Sequence, residues 1–204
     1  MKRFSLALAL LFVLGVFAPT YAAGRSGKFE IGAYGGYSFG FGHFFKEDRW
    51  GDHYFIQNKA TFSFGCKAKY GLTRVVALVG IVDYQSGKLE SKTQSGLPSR
   101  NWHWIGYQIN MMFFIMPDAR TSPYITLGGG YYIRNKEYED SRKGGINAGV
   151  GLEHLLRDDL ALDAGARVHC VAFTGGPPVG GWYFHFDYAT YVQVHVGLLY
   201  YFDV

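Results

Sequence analysis

The sequence predicts an all-β protein in which eight antiparallel strands run up and down and close into a transmembrane β-barrel. Three observations carry that prediction. The last stretch, Tyr191 to Phe202, alternates an apolar set (Val192, Val194, Val196, Leu198, Tyr200, Phe202) with a mixed one that includes Gln193, His195 and Gly197, and successive side chains of a strand point to opposite faces. Past the N-terminal segment, no apolar run approaches the ~18 residues of a spanning helix. Finally, 28 glycines and 37 aromatic residues (Tyr 16, Phe 17, Trp 4) are many for this length. Rings suit the interfacial girdles of such a barrel, and inner-wall glycines leave room for bulky neighbours. A soluble aromatic-rich sandwich is the competing reading of the same composition.

The chain opens with Lys2 and Arg3, an apolar run from Phe4 to Phe17, and Pro19, followed by Thr20-Tyr21-Ala22, an A-x-A type cleavage site. Residues 1–22 therefore read as a signal peptide and residues 23–204 as one barrel domain. An uncleaved anchor is disfavoured because the run is shorter than the ~20 residues such a helix needs. No Cys follows the site to carry a lipid. Cleavage leaves 182 residues, enough for one domain, and the loss of Lys2 and Arg3 lowers the net charge from +4 to +2. That charge gives no reason to expect nucleic acid.

Alternation then sets each strand in turn. The first spans about 29–41, with Phe29, Ile31, Ala33, Tyr37 and Phe39 outward and Glu30, Gly32, Tyr34, Gly36 and Ser38 inward. The second, about 59–70, sets Ala60, Phe62, Phe64, Cys66 and Ala68 outward against Thr61, Ser63, Gly65, Lys67 and Lys69. The third, 74–84, is nearly all apolar, and its parity stays open. The fourth, about 102–115, turns Ile105, Tyr107, Ile109, Met111 and Phe113 outward. The fifth follows Pro123 to about Ile133. The sixth places Ile146, Ala148, Val150 and Leu152 outward against Asn147, Gly149, Gly151 and Glu153. The seventh places Leu160, Leu162, Ala164, Ala166, Val168 and Cys170 outward against Ala161, Asp163, Gly165, Arg167 and His169. The eighth is the terminal stretch.

Connections alternate in length. Short ones fall at 71–73, 116–122 and 155–159, and long polar ones at about 42–58, 85–101, 134–144 and 174–190. Short periplasmic turns and longer extracellular loops are the layout of barrels in a bacterial outer membrane, so the exported chain is expected there. In this register Cys66 and Cys170 both face lipid with two strands between them, beyond the ~7 Å Cα separation a disulfide allows.

At this point the chain resembles the small eight-stranded outer-membrane proteins of the OmpA/OmpX-like barrel family. The resemblance runs through the whole mature chain and is most specific at His195-x-Gly197-x-x-Tyr200-x-Phe202. It implies that His195, Gly197, Tyr200 and Phe202 form the C-terminal assembly signal read by the barrel-assembly machinery. The family usually ends on the aromatic, whereas here Asp203 and Val204 follow it. Gly149-Val150-Gly151-Leu152-Glu153 and Asp158-Asp159-Leu160-Ala161-Leu162 around the sixth turn are also similar to the family. No peptidoglycan-binding segment follows, so no tether to the cell wall is expected.

The inward charges, Glu30, Lys67, Lys69, Glu153, Asp163 and Arg167, are the first candidates for function. Glu30 starts its strand where the two lysines end theirs, so pairing across the ladder is expected. Such pairs plug a lumen that eight strands make just wide enough for side chains. A pore gated by those charges is the alternative. The first long loop mixes His43, Asp48, Asp52 and His53 with aromatics, but the spacing fits no standard metal pattern, and neither metal nor cofactor is expected. In the second loop Lys88, Lys92 and Arg100 outnumber Glu90, a balance suited to lipopolysaccharide phosphates. The Gly/Pro-rich fourth loop, 174–182, has no strand-to-helix context for holding phosphate.

A lipid A-modifying enzyme is the third reading. The deacylases among small barrels use His-x-Ser, whereas here Cys170 and Val171 follow an inward His169, and neither Ser38 nor Ser63 can be placed beside it. No catalytic residue is expected. The sequence thus favours a monomer embedded in outer-membrane lipids and lipopolysaccharide, whose role is structural or lies in loop contacts with an extracellular partner. A lipocalin-like carrier would need the opposite parity.

Overall fold

A computed structural model describes residues 26–40, 44–47, 53–56, 61–89, 100–135, 141–174 and 186–202. The signal segment therefore lies outside the described residues. Ten strands follow in chain order: β1 (Phe29–Gly40), β2 (Phe44–Glu47), β3 (His53–Ile56), β4 (Thr61–Gly71), β5 (Val76–Leu89), β6 (Arg100–Phe114), β7 (Thr121–Asn135), β8 (Ser141–Arg157), β9 (Leu160–Thr174) and β10 (Phe186–Phe202). Eight of them close a barrel in the order β1-β10-β9-β8-β7-β6-β5-β4, and β2 pairs with β3 alone. The eight-stranded antiparallel barrel expected from the sequence is the fold.

The strands outrun their predicted ends. β5 and β6 extend to Leu89 and Arg100, so Lys88 and Arg100 belong to paired strands rather than to the second loop. β10 begins at Phe186, which shortens the fourth loop from the other side. The first loop contains the β2–β3 hairpin, with Glu47 opposite His53. His43, Asp48, Asp52 and Lys92 lie outside the described residues.

Closure is made by β1 against β10, in register from Phe29↔Phe202 to Gly40↔Tyr191. A row of paired residues starting at Glu30 passes Lys69, Val79, Asn110, Gly128, Asn147, His169 and Tyr191. It then returns to β1 at Gly40, ten positions above its start. This stagger is the shear that tilts the strands of a closed barrel, and it brings residues from distant rungs to the same depth. Parity is strict on β4, where Thr61, Ser63, Gly65, Lys67 and Lys69 are buried and Phe62, Phe64, Cys66, Ala68 and Tyr70 are exposed. On β5 the open parity is settled: Ala77, Val79, Ile81, Asp83 and Gln85 face inward.

Outside, an apolar belt includes Ile31, Ile109, Ile125, Leu127, Ile146, Val150, Val196 and Leu198. Near the long-loop end of this belt an aromatic ladder crosses four strands: Tyr37–Phe62, Phe62–Phe64, Phe64–Tyr84 and Tyr84–His103, with centroids 5.1–6.3 Å apart. Cys66 and Cys170 are free thiols on the outer wall, separated by β1 and β10. Short turns are tied locally. Thr73 Oγ1 accepts from the backbone N–H of Val75 and Val76 at 3.2 and 3.0 Å. Arg120 donates to the carbonyls of Leu155 and Leu156 at 2.7 and 3.0 Å.

Candidate functional site

The barrel interior is the best-defined cluster of chemistry among the described residues, and it is stacked in tiers from the short-turn end upward. Apolar side chains close the bottom: Leu155, Ala161 and Leu199 on one side, and Ala77, Val79, Met112 and Phe114 on the other. Room for the bulky groups comes from glycines paired opposite them on the neighbouring strand. A Cβ on Gly149 would stand 2.5 Å from Arg167 Cγ, and one on Gly151 would stand 2.3 Å from Tyr124 Cζ.

Directly above the apolar floor sits Lys69. Its ammonium lies 2.6 Å from Glu30 Oε2 and also donates to Glu153. The Tyr201 hydroxyl donates to the other oxygen of Glu153. β4 and β8 are four places apart in the ring, so the Lys69–Glu153 pair spans the full width of the lumen. The rings of Phe114 and Tyr201 lie 4.9 and 5.6 Å from Lys69 Nζ.

The second tier is centred on Asp163. Its Oδ2 accepts from Lys67 Nζ at 2.5 Å and from His195 Nε2 at 3.1 Å, and its Oδ1 accepts from the Tyr124 hydroxyl at 2.9 Å. Of the two lysines expected to pair with Glu30, Lys69 does so. Lys67 crosses instead to Asp163: its direct partner on β1 is Gly32, which offers no side chain, and the stagger brings Asp163 of β9 to the same depth.

The third tier holds Arg167 and Asp83. Arg167 Nη2 donates to Gln193 Oε1 at 2.8 Å, and the guanidinium lies 5.1 Å over the Tyr34 ring. On the opposite wall Asp83 accepts from Gln85 Nε2 at 3.2 Å and from Gln108 Nε2 at 2.7 Å. Sequence reasoning missed Asp83. The signal that marks it is the return of alternation at Asp83-Tyr84-Gln85-Ser86, which carried backward would also have set the parity of β5.

A cap of rings lies above. His169 stacks on Tyr191 at 4.4 Å and 4°, and its Nδ1 hydrogen-bonds the Tyr132 hydroxyl at 2.9 Å. Trp104 meets Tyr191 edge-on at 5.7 Å. The nearest chemistry to His169 is thus phenolic. Among the described residues no group of three or more His, Cys, Asp or Glu side chains is placed to hold a metal.

The four residues of the C-terminal motif divide between the two faces of β10. His195 and Gly197 point into the lumen, where a Cβ on Gly197 would come within 2.4 Å of the Ala33 carbonyl oxygen. Tyr200 and Phe202 face outward with ring centroids 4.9 Å apart.

Comparison with protein families finds a match over residues 8–202 to the family described as outer membrane protein beta-barrel domain. No curated protein matches the sequence. Among solved structures the chain is similar to OprG from Pseudomonas aeruginosa, with TM-score 0.59 and 14% identity over 90% of this chain and 100% of that one. It is also similar to Neisserial surface protein A, with TM-score 0.55 and 14% identity over 87% and 100%. A third similar structure is Ail of Yersinia pestis in complex with the heparin analogue sucrose octasulfate, with TM-score 0.51 and 18% identity over 87% and 99%. At these identities the likeness is one of fold.

Proposed function

The chain belongs to the outer membrane protein β-barrel domain family, and from that premise we propose that it is a plugged barrel whose work is structural or is done by its extracellular loops. The observation that carries this reading is the Lys69–Glu30–Glu153 tier. Ion pairs span the lumen there, directly above an apolar floor, in a ring of only eight strands. Breaking a buried pair costs about 3–5 kcal/mol, so this tier favours a closed interior. In this reading Glu30, Lys67, Lys69, Glu153, Asp163 and Arg167 serve as the lumen charge network that holds the plug. His195, Gly197, Tyr200 and Phe202 serve as the signal read by the assembly machinery.

The partner side follows from loops presented on a rigid scaffold. Exposed Arg142, with Lys143 next to it at the long-loop end of β8, supplies cations beside the expected lipopolysaccharide phosphates. The binding of a sulfated polyanion by the similarly folded Ail supports that chemistry. The pore reading draws support from the third tier, where Arg167 and Asp83 face each other without an ion pair. A lipid-modifying enzyme draws none from His169, whose Nδ1 is engaged by Tyr132.

Planar-bilayer conductance of the folded protein tests the proposal, with a heat-modifiable gel band as the check on folding. A folded barrel that passes little or no current is expected. Reproducible channel steps that change when Lys67 or Arg167 is replaced would overturn the plug and establish a gated pore.

A further inference from the structure

Buried charges usually meet partners that use their hydrogen-bonding capacity, and Arg167 departs from that rule. Its side chain is almost wholly buried. Of its nitrogens, Nη2 donates to Gln193 Oε1, while Nε and Nη1 meet no acceptor in hydrogen-bond geometry. Those two nitrogens carry three of the five N–H donors of a guanidinium. Beside it, Gln193 Nε2 adds a further donor without a partner, and the Tyr34 hydroxyl oxygen is the one neutral acceptor at hand for three N–H groups.

The carboxylate of the same tier is already engaged. Asp83 projects from β5, directly across the ring from β9, and its two oxygens take amide donors from Gln85 and Gln108. The next carboxylate down, Asp163, already accepts from Lys67, Tyr124 and His195. The third tier therefore combines an engaged carboxylate with a guanidinium whose three unmade N–H bonds outnumber the acceptors around it.

We propose that Arg167 holds a small monovalent anion of the halide class inside the barrel, between the aromatic cap and the Lys67–Asp163 tier. Monovalency follows from Asp83, whose charge already balances the guanidinium in this layer and opposes a divalent guest. Small size follows from the enclosure, since the Tyr34 ring, the Gln193 side chain and the backbone at Gly149 all press on Arg167. The site is independent of whether the loops or the lumen carry the protein's main role.

The test uses the full folded protein in detergent. Thermal unfolding is compared in sodium chloride and sodium gluconate at equal ionic strength, gluconate being too large to enter. Stabilisation by a bound ion rises with its concentration, and a Tm higher by about 2–4 °C in chloride is expected for a barrel of this size. In Arg167→Gln that chloride-specific difference disappears. Equal Tm values in the two salts, or a difference that survives in Arg167→Gln, would overturn the proposal. Crystals of the unmodified protein grown in bromide give a second readout that needs no variant. An anomalous peak within hydrogen-bond distance of Arg167 Nε or Nη1 supports the site, and ordered water there in place of bromide refutes it.

Discussion

In the short-turn half of the lumen Lys69 is gripped by two carboxylates and backed by two rings. In the long-loop half Arg167 and Asp83 stand on opposite walls and do not touch. Both halves bury charge to the same degree, yet the lower one spends its polar groups on each other and on an apolar floor. The upper one leaves several amides, hydroxyls and guanidinium nitrogens with bonds unmade. Burial alone therefore does not define a plug. Mutual saturation does, because an unpaired buried polar group favours opening or a guest as much as it favours closure.

The contrast can be broken from below. Lys69→Met strands Glu30 and Glu153 together in an apolar setting, and a loss of about 3–5 kcal/mol in the urea-unfolding free energy is expected. Overpacking comes next. A Cβ on Gly128 would lie 1.8 Å from Asn110 Oδ1 and 2.4 Å from the Ile109 carbonyl, so Gly128→Val should cost about 1–3 kcal/mol in the same assay. Asn110→Ala should restore only the part due to the Asn side chain.

The upper tier should respond more weakly. Arg167→Met removes one hydrogen bond together with a poorly satisfied charge, so a change of about 1 kcal/mol in gluconate is expected. A loss as large as that of Lys69→Met would show that the two halves are equally interlocked and would erase the contrast. The smallest effect is expected outside the lumen. Arg74 and Asp118 pair at 3.0 Å in the open, so Arg74→Ala should move the unfolding free energy by no more than about 0.5 kcal/mol.

These tiers were unevenly legible. Where lipid on one side met a polar lumen on the other, alternation gave the faces directly, as on β4, β8 and β9. β5 hid its parity because the lumen is itself apolar at the short-turn end. Ala77, Val79 and Ile81 face inward there, next to Leu78 and Val82 facing out. Asp83 was lost with that parity. The Glu30–Lys69 pair was legible because its partners lie on adjacent strands in direct register. Lys67–Asp163 and Lys69–Glu153 were not, since those contacts depend on a stagger that accumulates around the ring and is written in no single pair of strands. The full reach of β10 was masked by the Gly/Pro-rich stretch at 174–182, which made the whole of 174–190 read as one loop, whereas ladder pairing carries the strand back to Phe186.

The seam between β1 and β10 joins the first barrel strand to the last over its whole length. Every other pair of neighbours in the ring follows in sequence, with at most the small β2–β3 hairpin between them, and this one spans nearly the entire chain. Such long-range pairing is the slow step of a folding reaction. Until it forms, the sheet carries two unsatisfied edges that a hydrocarbon environment does not tolerate. Insertion and ring closure are thereby tied to the arrival of the final strand, which makes a truncated chain a species to be cleared rather than a smaller barrel.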